Sequence, residues 1–234
     1  MIHSQIIKAE LYKNYKNKII YAREVYVRNF SKTAITEASF FQILERMYKN
    51  KEIKKLSKGI YYFPKENEFG EIPISDREII CKYIDKNKGM FVGYHLYSKL
   101  RLTTQVSKKI NIYTSNLENQ TRNIKNISLN RVNLKFNEIT KKNIEMLDVL
   151  ENFNYIEDLN YNVFYQYAKE YSNSYNEESL IKILKVMKYK KSTLSFLQNV
   201  LEHFNIQNSI NKYLSSLSKY NHKTMKEIYE LIRQ

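Results

Sequence analysis

The stretch TEASFFQILERMYKNKEIKKLSKGIYYFPK, residues 36–65, constrains the fold of this chain more than any other. Phe40, Ile43, Leu44 and Met47 recur at i, i+3, i+4 and i+7, the spacing of one buried helical face. Thr36 stands where an N-cap oxygen is needed, and Glu37 follows in the first turn, where the helix dipole favours an anion. Such a helix carries Ser39, Gln42, Arg46 and Lys49 on its other side. These are hydrogen-bonding and cationic groups of the kind that meet base edges and phosphates. After a Lys-Asn-Lys break, residues 53–56 and 60–63 read as two strands around Ser57-Lys58-Gly59. Gly59 supplies the positive φ that such a turn can require.

The preceding residues extend the pattern. Ile6, Ile7, Leu11 and Tyr15 predict a helix over residues 2–15, which Lys16-Asn17-Lys18 ends. Residues 19–21 read as a short strand, 22–27 as a second helix, and 29–35 as a polar turn. Helix, strand, helix, turn, helix, hairpin is the order of a winged helix-turn-helix. Residues 1–66 are therefore expected to form a DNA-binding domain. Gln42 and Arg46 would read the major groove, with Ser39 on the same face. Lys49, Lys55 and Lys58 would hold phosphates, with Ser57 at the wing tip.

Charge agrees with an anionic partner. The 234 residues carry a formal net charge of +15, which favours nucleic acid. Residues 1–66 hold 14 Lys or Arg against 6 Asp or Glu, so charge per residue is higher there than in the remainder. A coding bias toward Lys is the competing explanation of the total. The one cysteine, Cys81, excludes an intramolecular disulfide and a multi-cysteine zinc site. No stretch has a signal peptide's apolar core or the length of a membrane span, so a cytoplasmic protein without membrane contact is expected.

The second domain is expected over residues 67–234, as a mixed α/β region over 67–140 and a helical region over 141–234. The class is thus α+β. Residues 66–73, ENEFGEIP, show no periodicity and read as the boundary. Ser75-Asp76-Arg77-Glu78 resembles a capping box opening a helix to about Asn87. Residues 90–93 read as a strand and 94–100 as a helix, followed by strands over 110–114, 124–129 and 131–136. Helical faces then begin at Ile144, Val163, Leu180, Leu194, Ile210 and Met225.

Three stretches in order, ERMYKNKEIKKLSKGIYYFPK, GEIPISDREIICKYI and FVGYHLYSKLRLTTQVSKKINIYTSN, resemble the AbiEi family of antitoxins. Residues 100–107, Leu-Arg-Leu-Thr-Thr-Gln-Val-Ser, are similar to a family signature, with Arg101 in place of a Gly and Ser107 in place of a Pro. The resemblance covers about residues 20–140. It implies a toxin–antitoxin operon in which the winged helix binds double-stranded operator DNA and represses its own promoter. It also implies a cognate nucleotidyltransferase toxin countered by the second domain. Thr103, Thr104 and Gln105 have two readings: hydrogen-bonding groups that satisfy a turn, or groups that contact toxin or nucleotide.

No enzyme chemistry is expected. The chain has no Gly-Ser dipeptide and no Asp-x-Asp for a nucleotidyltransferase, no Walker loop, no HExxH and no Gly-x-Ser-x-Gly. No cofactor, metal or catalytic residue is assigned. The alternative function is a winged-helix regulator whose second domain senses a ligand or dimerises.

Overall fold

The computed structural model describes residues 2–215 and 217–233. It is an α+β protein that divides into two units, one of residues up to Asp76 with Asn123–Lys125, the other of Arg77–Arg122 and the chain from Asn126 onward. Residues 67–76 thus belong to the first unit, although the apolar pattern placed a boundary at 66. Among the described residues no helix is long and apolar enough to cross a membrane.

The first unit begins with α1 (Ile2–Tyr15), β1 (Ile20–Tyr21), α2 (Ala22–Asn29) and α3 (Glu37–Lys49). The hairpin β2 (Lys54–Ser57) and β3 (Ile60–Tyr62) follows. The Thr36 side chain accepts from Ser39 N, so the expected N-cap sets the start of α3. Phe40, Ile43, Leu44 and Met47 are buried. They pack in one core with Ile7 and Leu11 of α1, Val25 of α2 and Tyr61 of β3. The sheet order is β1-β3-β2, with β3 antiparallel to both neighbours. Leu56 is an extra residue on β2, because Lys55 faces Tyr61 and Ser57 faces Ile60. Gly59 takes φ 73 at the tip.

Residues 66–73, expected as the boundary, carry regular structure up to Ile72. They lie in a second hairpin of β4 (Lys65–Asn67) and β5 (Gly70–Ile72), with Glu66 opposite Glu71. Its support is non-local: Glu71 accepts from Tyr62 Oη at 3.1 Å and pairs with Lys54. That is why no local apolar alternation announces it.

Next come α4 (Asp76–Ile84), β6 (Gly89–Val92), α5 (Tyr94–Lys99), β7 (Ile110–Thr114), β8 (Thr121–Ile124) and β9 (Ile127–Arg131), all in the second unit apart from Asp76, Asn123 and Ile124. The sheet order is β6-β7-β9-β8, with β6 antiparallel and β9 parallel to β7. The strands expected over 124–129 and 131–136 are displaced, because the chain reverses at Lys125, which takes φ 53. Val132 and Phe136 are still buried, in a segment outside the sheet.

Five helices follow: α6 (Glu138–Asn152), α7 (Tyr161–Asn173), α8 (Glu177–Val186), α9 (Lys191–His203) and α10 (Met225–Ile232). Helix α6 touches α7, α8 and α9. Its buried residues include Asn143 and Asp148 as well as Ile144, Leu147 and Val149. The face expected from Ile210 to Leu217 shrinks to one 3-10 turn, Ile210–Tyr213. Ile210 alone of that face is fully buried, and Leu217 is 96% exposed.

Candidate nucleic-acid interface

Burying Phe40, Ile43, Leu44 and Met47 turns the opposite face of α3 outward. Gln42, Arg46 and Lys49 are exposed there, spaced i, i+4, i+7, and Ser39 is half-buried one turn earlier. No hydrogen bond or ion pair engages the side chains of Gln42, Arg46 or Lys49 among the described residues. Arg46 and Lys49 also stand in the last turn, where the helix dipole favours cations.

The hairpin residues divide into three kinds. Lys58 is exposed at the β2–β3 turn. Lys55 is committed elsewhere. Its Nζ lies 2.7 Å from Glu45 Oε1 and about 5.5 Å from the ring centroids of Tyr48 and Tyr61. Tyr61 Oη donates to the same Glu45 oxygen at 2.5 Å. This network ties the hairpin to α3. The Lys55 and Tyr61 hydrogen bonds hold the Glu45 carboxyl below its usual value, and burial with the Glu45 contact pushes the Tyr61 phenol up. Ser57 corrects the expectation of a wing-tip donor. Its Oγ is shielded from solvent and has no hydrogen-bond partner among the described residues, so this conformation does not present it to a phosphate.

Sequence reasoning missed Glu45 and Tyr61. Both belong to the amphipathic pattern as flank and core, and only the pairing of β2 with β3 brings Lys55 to them. Their arrangement makes the β2–β3 hairpin less cationic than its lysines imply.

Thr103 and Gln105 tie their own segment to the turn at Glu157 and Asp158. Thr103 is buried; its Oγ1 donates to Glu157 O at 2.6 Å and accepts from Gln105 N at 3.1 Å. Gln105 Nε2 donates to Asp158 Oδ2 at 2.5 Å. Thr104 is exposed. Of the two readings, the turn-satisfying one accounts for Thr103 and Gln105. Arg101, where the family resemblance has Gly, takes φ 59.

Among the described residues no three His, Cys, Asp or Glu are grouped to hold a metal ion. Ser195 Oγ lies 3.0 Å from His222 Nε2, while His222 Nδ1 lies 3.0 Å from Lys223 O and the ring stacks on Phe196 at 4.9 Å. This contact joins α9 to the segment leading into α10.

The model of a family described as "Family of unknown function (DUF6088)" matches residues 7–192, more than half of the chain, and the chain belongs to that family. No curated protein matches it.

Proposed function

We propose that this member of the DUF6088 family binds double-stranded DNA through α3 and the β2–β3 hairpin, as a winged helix-turn-helix. The observation that carries the reading is the exposed row Gln42, Arg46 and Lys49, on a helix whose other face is anchored in the first unit's core. The order α1-β1-α2-α3-β2-β3 and the three-stranded sheet β1-β3-β2 support it. Arg46 and Gln42 read bases, while Lys49 and Lys58 hold phosphates. Lys55 serves first as the partner of Glu45.

In its biological setting the protein acts as an AbiEi-type antitoxin that represses its own operon and counters a nucleotidyltransferase toxin. Support for this part is the resemblance carried by residues 45–65, 70–84 and 91–116. The test has two arms. Duplex DNA from upstream of the coding sequence should be retarded by the protein and released by Arg46→Ala with Gln42→Ala. Equal binding by that double variant removes the reading of α3. Co-expression with the neighbouring gene product should rescue growth; no rescue from a toxic neighbour removes the antitoxin role while leaving DNA binding intact.

A second reading, a regulator whose second unit senses a ligand, is favoured by the cleft in that unit.

A further inference from the structure

The second unit contains a cleft of about 270 Å³ built from three elements. Its floor is one face of the sheet. Asn111 and Tyr113 alternate on β7, and Asn130 of β9 lies beside Tyr113 in register. One wall is α6, which contributes Asp148 and Asn152 at i and i+4. The other is the start of α5, with Gly93, Tyr94 and Tyr97. Tyr155 stands at the rim, 75% exposed.

The chemistry of this lining is one-sided. The chain has 39 Lys and Arg, yet none lines the cleft, and neither does a His. Asp148 is the one charged residue in it and is itself buried. One carboxylate oxygen accepts the Gly93 N–H at 2.8 Å. The Tyr97 hydroxyl also acts on this carboxyl; a carboxylate offers about four acceptor positions, so about half of its capacity remains. The further charge that acts on it, Glu151, is also negative. A buried carboxylate without a counter-charge is costly unless it takes up a proton or a cation. Four tyrosines line the cleft with it, and the Tyr94 and Tyr97 ring centroids lie 5.7 Å apart. The Tyr94 hydroxyl donates to Tyr155 O at 2.8 Å, which fixes its ring beside the rim.

We propose that this cleft is a binding site for a small organic cation, an ammonium or guanidinium head group held by the Asp148 carboxylate and the faces of the surrounding tyrosines. Carboxylate and aromatic faces together recognise such cations, whereas phosphates and nucleotides call for the cationic groups that the lining lacks. The amide oxygens of Asn111 and Asn130 serve as neutral acceptors for the remaining N–H groups. A volume of this size admits a compact molecule rather than a peptide. The assignment does not depend on DNA binding.

The test is calorimetric titration of the full-length protein with methylguanidinium chloride and with tetramethylammonium chloride, against sodium chloride at equal ionic strength, with adenosine monophosphate as the anionic probe. Saturable binding of at least one organic cation at one site is expected. Asp148→Asn keeps an oxygen for Gly93 N–H and should weaken binding about tenfold, as loss of one charge-assisted contact does. Tyr155→Ala removes an exposed ring and should weaken it about threefold while leaving thermal unfolding unchanged. Saturation by neither cation, or displacement of the cation by adenosine monophosphate, would overturn the proposal. So would an unaltered affinity in Asp148→Asn that unfolds like the parent. If Asp148→Asn does not fold, unaltered affinity in Tyr155→Ala overturns it.

Discussion

If α3 and the β2–β3 hairpin bind DNA as proposed, replacing Glu45 by Gln should strengthen that binding, and the size of the gain follows from the Lys55 network. In the parent, Lys55 Nζ sits 2.7 Å from Glu45, so its charge is largely answered within the protein. Lys55→Ala should therefore change the slope of log K against log salt very little. Lys58→Ala removes a turn lysine and should flatten the slope by about 0.9. Glu45→Gln releases the Lys55 ammonium to a phosphate and should steepen it by about 0.9. Removing a carboxylate roughly 7 Å from a phosphate is worth ~0.6 kcal/mol in a water-like dielectric, and a freed ammonium ~4 Å from a phosphate ~1 kcal/mol. With screening near 0.1 M salt the two together come to about 1 kcal/mol, or roughly fivefold in affinity. The fold should tolerate the change. The Gln carbonyl still accepts from Tyr61, and the Glu45 side chain is 42% exposed, so loss of the ion pair costs only ~0–1 kcal/mol. Fluorescence anisotropy of a labelled duplex across a salt series reads all four proteins. Identical slopes for the parent, Lys55→Ala, Lys58→Ala and Glu45→Gln would refute the reasoning.

Three further outcomes are expected. Arg101 holds φ 59 at an exposed position, so Arg101→Gly should raise stability by about 1 kcal/mol in urea unfolding; a loss would show that the Arg side chain outweighs its backbone strain. A Cβ on Gly89 would lie 2.4 Å from both Tyr113 O and Tyr83 O, so Gly89→Ala should destabilise by ~2 kcal/mol or more, and an unchanged melting temperature would contradict the close approach. Burial raises the Asp148 carboxyl above its ordinary value, against the Gly93 N–H and Tyr97 hydroxyl that lower it. Its stabilising contribution is full below the ordinary aspartate value and is lost as pH rises through the raised one. Relative to Asp148→Asn, the parent should lose stability across that interval; Glu145, raised by the same cause, is common to both proteins, and parallel pH–stability curves would refute the assignment.

Local signals carried the first unit far. The i, i+3, i+4, i+7 spacing in α3, the Thr36 cap and Gly59 act within a few residues, so order along the chain was enough to place them. The same held for α6, α7, α8 and α9, whose apolar faces repeat with the helical period. Elements depending on distant partners behaved differently. The β4–β5 hairpin rests on Glu71 meeting Tyr62 and Lys54, and the β8–β9 reversal turns on Lys125, so neither left a periodic trace. The exposed face of α3 could be read from spacing because one buried helical face defines its opposite. The pairing of Lys55 and the shielding of Ser57 could not: strand pairing brings Lys55 and Tyr61 together beside Glu45, and nothing local in the sequence marks the burial of Ser57 Oγ. The Asp148 cleft is the furthest case: its residues come from α5, α6, β7 and β9, and in the sequence Asp148 is one polar position within an amphipathic helix. Side-chain periodicity records which face of an element is buried; what that face meets is set by long-range packing, and the cleft's chemistry arises there.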